Sequence, residues 1–212
     1  PELTLTCPDT VTAACGMDAL TQLLESFVSV KASAMTDSLA SGALTVLGDS
    51  LVPASTTAQD DIELRSRISY AAYISGLTLA NAGLGTIHGF ASVIGGFFAI
   101  PHGVVCGTLL AETTRQIVAA LIRTDPAGVA LKKYEAAAGF LDPSGPAGSV
   151  EQGARRLVSL LEHWTEVMDI PRLGEYGVTR QDIDRIVHAT GQKNNPVALP
   201  DDQLKEILKK RL

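Results

Sequence analysis

A long stretch without formal charge constrains this chain more than any other feature. From Ile68 to Ala111 the sequence contains no Asp, Glu, Lys or Arg, a run of 44 residues. A membrane-spanning helix needs only about 20 apolar residues, so a membrane protein is one interpretation. However, Asn81, several glycines and Pro101 interrupt the stretch, and no clusters of Lys or Arg flank it. These interruptions favour a pair of helices buried at the centre of a helical domain, beside a closed pocket.

The spacing of apolar residues predicts helices along almost the whole chain. Apolar residues recur every three or four positions, and strand-like alternation is scarce. The predicted helices cover residues 9–29, 34–52, 60–83, a segment that starts near Thr86, and residues 102–122, 125–141, 150–168, 179–190 and 200–212. A loop rich in Pro, Gly and Ser is expected at 142–149. The sequence therefore predicts an all-α fold, with residues 1–212 forming a single domain.

Local signals predict where some of these helices begin and end. Asp9 or Thr10 is expected to cap the first helix, and Thr86 the helix that carries His88. The Gly95–Gly96 pair, followed by Pro101, is expected to end that helix.

Composition narrows the classes of function. The hydrophobic fraction of 46% indicates a globular chain, and the formal charge of −6 argues against nucleic acid or an anionic membrane surface as a partner. The first residues have neither a basic start nor an apolar run, so no signal peptide is expected there. Three scattered cysteines (Cys7, Cys15 and Cys106) are too few for a disulfide framework. A reducing compartment, by default the cytoplasm, is the expected location.

No standard phosphate-binding loop is found in the sequence. The segment "GLGTIHG" begins like a dinucleotide fingerprint, but His88 stands where the third glycine belongs, and no predicted strand precedes it. We therefore expect that these residues do not form a nucleotide-binding cradle of their own.

Two histidines in the charge-free stretch are the strongest candidates for chemistry. His88 and His102 are fourteen residues apart, which on one straight helix would separate them by about 21 Å. The glycine pair and Pro101 between them allow the chain to fold back, so that both imidazoles can reach one point. Each histidine alone is more often a hydrogen-bonded core residue than a ligand. Two imidazoles and a carboxylate with an open position, however, form a typical divalent-metal site.

The first predicted helix supplies a carboxylate, and the remaining candidates are weaker. Asp18, Gln22 and Glu25 follow i, i+4, i+7 spacing and share a face, which is either the solvent side of the helix or a face that points Asp18 into a pocket. Cys106 is interpreted as a small buried hydrophobic residue, because no cation lies near it in sequence. His163 and His188 lie among ordinary amphipathic residues and are interpreted as structural or surface positions.

Three segments together resemble a known family. "GMDALTQLLESFVS", "LGTIHGFASVIGGFFAIPHGVVCGTLL" and "NNPVAL" are similar, in this order, to the iron-containing (group III) alcohol dehydrogenases. The resemblance covers essentially the whole chain and implies the helical C-terminal metal-binding domain of the dehydroquinate-synthase-like fold. The α/β domain that binds NAD(P) in such enzymes would precede it and is not among these residues.

The resemblance also implies a set of metal ligands. Asp18, His88 and His102 occupy three of the four ligand positions for Fe²⁺ or, in relatives, Zn²⁺, and Gln22 occupies the fourth, which is usually a histidine. Ser92 stands where a second histidine near the nicotinamide is often found. Three alternatives follow: a metal with three protein ligands, Gln22 as a weak fourth ligand, or a protein that has dropped the metal.

The implied function is the metal-binding and substrate half of an NAD(P)-dependent alcohol dehydrogenase. The metal would polarise the oxygen of a small alcohol or aldehyde substrate, and a homodimer is one expected assembly. Without the nucleotide-binding domain, the isolated chain is expected to be inactive. Two alternatives are a metal-independent reductase of the same fold and a non-catalytic helical binding module. Neither nucleic acid nor a membrane is expected as a partner.

Overall fold

The computed structural model describes residues 1–146 and 148–212; Ala147, in the predicted loop 142–149, lies outside the described residues. Within the described part there are nine α-helices and no β-strand, so the all-α prediction is confirmed. The helices are α1 (Asp9–Val28), α2 (Ala34–Thr56), α3 (Ile62–Ala82), α4 (Thr86–Phe97), α5 (His102–Thr124), α6 (Val129–Leu141), α7 (Val150–Val167), α8 (Ile183–Ala189) and α9 (Asp201–Lys210). Short 3₁₀ turns cover Glu2–Thr4, Leu173–Tyr176 and Arg180–Asp182.

Helix α5 lies at the centre of the bundle, where it packs against α1, α4, α7 and α9. Val105, Leu109 and Leu110 on this helix are fully buried. Among the described helices, α5 is long and apolar enough to cross a membrane, and α3 with α4 would count as a second such segment if their 101° bend is ignored. The most apolar window of α5 is 78% buried against the other helices. A helix at the core of a folded domain can be as long and as apolar as a membrane-spanning helix.

Two glycines allow α5 to approach α1 closely. A Cβ atom at Gly103 would lie 2.3 Å from the backbone oxygen of Ala14, and a Cβ atom at Gly107 would lie 2.9 Å from the Cβ of Met17. The two glycines are four residues apart and therefore share one face of α5. Because neither has a side chain, the start of α5 lies directly against the middle of α1.

Two of the predicted helix caps were wrong, and one predicted helix end is confirmed. Asp9 lies in the first turn of α1, and its N-cap is Pro8, which provides no side-chain cap. Thr86 is the first residue of α4, and the N-cap is Gly85. Helix α4 ends at Phe97, one residue after the Gly95–Gly96 pair and before Pro101, as predicted. Glycine costs a helix only about 1 kcal/mol relative to alanine, so the pair is tolerated within its last turn.

Candidate metal centre

Four potential metal donors from three helices meet at one point. They are Asp18 of α1, His88 of α4, and His102 and Cys106 of α5, and one ligand atom from each lies within 4.8 Å of the others. The Oδ1 atom of Asp18 is 3.2 Å from Nε2 of His88 and 3.6 Å from Nε2 of His102. The sulfur of Cys106 is 3.7 Å from Nε2 of His88 and 3.6 Å from Nε2 of His102.

The break between α4 and α5 brings the two imidazoles together. His88 lies in the first turn of α4, and His102 is the first residue of α5, directly after Pro101. Because the chain reverses between Phe97 and Pro101, the two ring centroids are only 5.4 Å apart. The spacing of fourteen residues thus becomes a contact, and the sequence features that permit it are the helix-breaking residues between them.

A buried carboxylate from α1 holds His88 in place. Glu25 is 6% exposed, and its Oε2 atom lies 2.8 Å from Nδ1 of His88. Glu25 also accepts hydrogen bonds from the backbone N–H groups of Ile87, at 2.7 Å, and of His88, at 3.4 Å. It therefore caps α4 from a distant helix, at the end where the helix dipole favours negative charge. With Nδ1 bound to Glu25, Nε2 of His88 faces Asp18 and Cys106.

Gln22 lies beside the cluster, but its amide oxygen does not face it. The oxygen accepts a 2.8 Å hydrogen bond from the hydroxyl of Ser75, and the amide nitrogen donates to Oδ2 of Asp18 at 3.3 Å. For the amide oxygen of Gln22 to bind a metal here, the amide group would have to flip so that its oxygen and nitrogen exchange places. Its role as a fourth ligand stays a prediction.

Ser92 and the two remaining histidines take no part in the cluster. The hydroxyl of Ser92 donates to the backbone oxygen of His88 at 2.9 Å and lies on the exposed side of α4. His163 and His188 are exposed, as expected of surface positions.

The electrostatics of the four donors are strongly coupled. Burial alone would lower the pKa of His88, but its hydrogen bonds to Asp18, Cys106 and Glu25 raise the pKa to about 12. Burial also acts to raise the pKa of Asp18, but the hydrogen bond from His88 and the charge of His102 lower it below its usual value. Burial raises the pKa of the Cys106 thiol to about 12. Without a metal ion, the two carboxylates of Asp18 and Glu25 therefore favour the protonated form of His88.

A cleft of about 480 Å³ opens next to His88. Leu79, Leu84 and Val93 form apolar parts of its wall, and Lys193 is the basic residue among its lining groups. Gly89 lies so close to the loop after α8 that a Cβ atom there would meet the backbone oxygen of Gly191 at 2.0 Å. The cleft is large enough for a small ligand beside the donor cluster.

The chemistry of the donors fits a divalent transition metal. A carboxylate, two imidazoles and a thiol are the side chains that bind Zn²⁺ and related ions. His88 has the second partner typical of a metal-ligating histidine, a carboxylate on its other ring nitrogen. The His102 side chain is 50% exposed, so the cluster is open on that side.

Comparisons with known proteins show the family of this chain. A family model described as "Fe-containing alcohol dehydrogenase family, C-terminal" matches residues 12–212, and the chain belongs to this family. Alcohol dehydrogenase 4 of Saccharomyces cerevisiae is 31% identical over 211 residues, which is 96% of this chain and 51% of that protein. The NAD-dependent methanol dehydrogenase of Bacillus methanolicus is 28% identical over the whole chain and 54% of its own length.

Solved structures show the same fold. An alcohol dehydrogenase from Oenococcus oeni superimposes with a TM-score of 0.87 at 26% identity, over 99% of this chain and 54% of that one. A 1,3-propanediol oxidoreductase superimposes with a TM-score of 0.88 at 25% identity, over 98% of this chain and 53% of that one. This chain thus spans about half the length of the relatives that it matches.

Sequence reasoning missed two residues of the site. Cys106 was interpreted as a packing residue, although it follows His102 by four positions and therefore had to share its helix face. Glu25 was placed on the same helix face as Asp18 and Gln22, but no role was predicted for it. Its position seven residues after Asp18 was the signal that it could reach the same site.

Proposed function

We propose that residues 1–212 form the metal-binding, substrate-side half of an NAD(P)-dependent alcohol dehydrogenase, which interconverts an alcohol and its aldehyde or ketone. The observation that carries the proposal is the convergence of Asp18, His88 and His102 from three helices on one point. The alcohol dehydrogenase names of the relatives support the class of reaction.

Each residue of the site has its own proposed role. Asp18, His88 and His102 would hold Fe²⁺ or Zn²⁺, which as a Lewis acid polarises the oxygen of the bound alcohol or aldehyde. Glu25 fixes the tautomer of His88, so that Nε2 is free of its proton when a metal is held. The apolar wall of the cleft, which includes Leu84 and Val93, orients a small substrate and keeps water away from it.

Elemental analysis of the purified chain tests the metal site. After incubation with Fe²⁺ or Zn²⁺ under anaerobic conditions and desalting, we expect about one equivalent of metal per chain. Asp18→Ala and His88→Ala should lose it, whereas the control His163→Ala, an exposed position, should keep it. A wild-type chain that retains no metal would contradict the proposal.

The nicotinamide cofactor, which carries the hydride, would bind outside these residues. NAD(P) would bind to an N-terminal α/β domain of the kind that the resemblance implies, and the relatives are about twice as long as this chain. We therefore propose that residues 1–212 alone do not turn over an alcohol. Robust reduction of NAD⁺ or NADP⁺ by the isolated chain would refute this.

A metal-independent reductase of the same fold is the second candidate. The orientation of Gln22 favours it, because the amide oxygen is held by Ser75 instead of facing the donors. If this candidate is correct, Gln22→His will raise neither the metal content nor the activity of the protein joined to its nucleotide-binding domain. A non-catalytic binding module would instead show equal losses of stability in His88→Ala and His102→Ala, with and without metal.

The location and partners are also proposals. Free Cys7, Cys15 and Cys106 and the formal charge of −6 support the cytoplasm, small-molecule substrates, and no association with nucleic acid or membrane. Recovery of the chain only in detergent extracts would contradict this. A homodimer is proposed as well, and analytical ultracentrifugation measures it.

A further inference from the structure

We infer that the sulfur of Cys106 is the fourth protein ligand of the metal, in place of the imidazole that Gln22 does not supply, and that the site therefore takes Zn²⁺ in preference to Fe²⁺. The inference rests on the proposed function, because it requires that Asp18, His88 and His102 bind a metal.

Four of the six donor–donor distances are close to the edges of a tetrahedral site. Bonds of about 2.1 Å to nitrogen and oxygen give donor–donor edges of about 3.4 Å, and one bond of about 2.3 Å to sulfur lengthens its edges to about 3.6 Å. The two edges from Asp18 to the imidazoles are 3.2 and 3.6 Å. The two edges from the Cys106 sulfur to the imidazoles are 3.7 and 3.6 Å. The sulfur edges are therefore the longer ones on average, as a thiolate ligand requires.

The surroundings of Cys106 distinguish it from a packing residue. It is fully buried, yet its sulfur faces the Nε2 atoms of both His88 and His102. A cysteine that only fills space needs no polar partner, whereas this sulfur lies within 3.7 Å of two ring nitrogens. A metal ion at the centre of the cluster is bound by all three groups at once.

Ligation by sulfur costs the thiol its proton. On binding, the S–H bond of Cys106 would break, its proton would leave to the buffer, and both electrons of that bond would form the sulfur–metal bond. Metal binding through Cys106 therefore releases one proton per ion in addition to any released from the imidazoles.

A thiolate shifts the preference among metals. Sulfur is a soft ligand that suits Zn²⁺, whereas oxygen-rich sets suit harder ions. His102 is half-exposed, so a substrate oxygen could approach from its side as a fifth ligand, since zinc sites can expand from four to five ligands.

Cobalt(II) substitution tests the inference through a spectrum instead of activity. The chain is loaded with Co²⁺, and sulfur coordination is detected as near-ultraviolet thiolate-to-metal charge-transfer absorption. We expect this band in the wild-type chain and in Cys15→Ser, the matched control, whose cysteine is exposed. Cys106→Ser should lose the band while its visible Co²⁺ absorption persists.

The outcomes separate this inference from the proposed function. Visible Co²⁺ absorption without a charge-transfer band in the wild-type chain overturns the role of Cys106 and leaves the site of Asp18, His88 and His102 intact. If neither Co²⁺ nor Zn²⁺ binds, both fail. If Cys106→Ser does not fold, the double variant Cys7→Ser with Cys15→Ser, which leaves Cys106 as the one cysteine of the sequence, decides the matter: its loss of the band overturns the inference.

Zinc affinity gives an independent readout. Competition with a chromogenic chelator should show at least about tenfold weaker Zn²⁺ binding in Cys106→Ser, since even indirect partners of a metal site are worth about 10–100-fold. The double variant Cys106→Ser with Gln22→His should recover part of this loss, because an imidazole at position 22 extends from the same face of α1 as Asp18. Unchanged affinity in Cys106→Ser would overturn the inference.

Discussion

Replacing Glu25 with glutamine should weaken metal binding without removing any metal donor. The amide can still accept from the N–H of Ile87, but its NH₂ group then faces Nδ1 of His88, where the carboxylate oxygen lies at 2.8 Å. An amide donor favours the tautomer of His88 in which Nδ1 accepts and Nε2 carries the proton. A protonated Nε2 cannot bind a metal.

The expected losses of metal affinity and of stability follow from these contacts. Loss of a carboxylate partner from a ligating histidine typically costs about 10–100-fold in metal affinity, or about 1.4–2.7 kcal/mol. The metal-free chain should also lose about 1–2 kcal/mol of unfolding free energy, because Glu25 caps α4 and is nearly buried.

The assay is a competitive Zn²⁺ titration of Glu25→Gln, together with thermal unfolding of the metal-free protein. Glu112→Gln is the matched control, since Glu112 is 8% exposed and accepts from Arg115 and Gln116 on its own helix. This control should lose stability but keep its zinc affinity. A zinc Kd for Glu25→Gln within about threefold of the wild-type value, a difference of well under 1.4 kcal/mol, would refute the reasoning.

Three further predictions concern packing and ligand linkage. Gly103→Ala should cost about 1–3 kcal/mol of stability and weaken zinc binding, because the new methyl group meets the backbone of α1; Gly42→Ala, where nothing lies within 4 Å, should gain about 0.5–1 kcal/mol in thermal unfolding. Lys133→Ala should cost about 1–3 kcal/mol in urea unfolding, because its ammonium bonds to Asp37 at 2.7 Å and to the backbone oxygen of Phe27 at 2.8 Å. As a control, Lys205→Ala removes an exposed ion pair with Asp184 and should leave the midpoint of urea unfolding almost unchanged. Zinc at 100 times its Kd should add about 2.7 kcal/mol to the free energy of unfolding, and EDTA should remove this gain in a thermal scan. A Tm that does not change when zinc is added would contradict the metal site.

The sequence predicted the architecture because the helices are long and strongly periodic. The segments 34–52 and 102–122 fall within α2 and α5, where apolar spacing and tertiary packing favour the same state. Helix ends were less predictable. The N-cap of α4, Gly85, has no side chain, and the N–H of Ile87 in the first turn donates instead to the carboxylate of Glu25, about sixty residues earlier in the chain; no local signal contains that information.

The site was only partly predictable, for a related reason. His88 and His102 were recognised from their charge-free surroundings and Asp18 from the polar face of the first helix, and the family resemblance joined the three into one ligand set. Their convergence depends on the close contact of α5 with α1 at Gly103 and on the turn after α4, which are tertiary features. Cys106 is buried, as the sequence predicted, but its contact with His88 could not be foreseen, because the two residues are eighteen positions apart and lie on different helices.

The most direct test of the metal site is an anomalous difference map from crystals of the zinc-loaded chain, with data collected on both sides of the zinc absorption edge. We predict one strong peak within bonding distance, about 2.0–2.2 Å, of Asp18 Oδ1 and of Nε2 of both His88 and His102. A zinc-loaded crystal with no peak at this point, or with its peak elsewhere, would contradict the account.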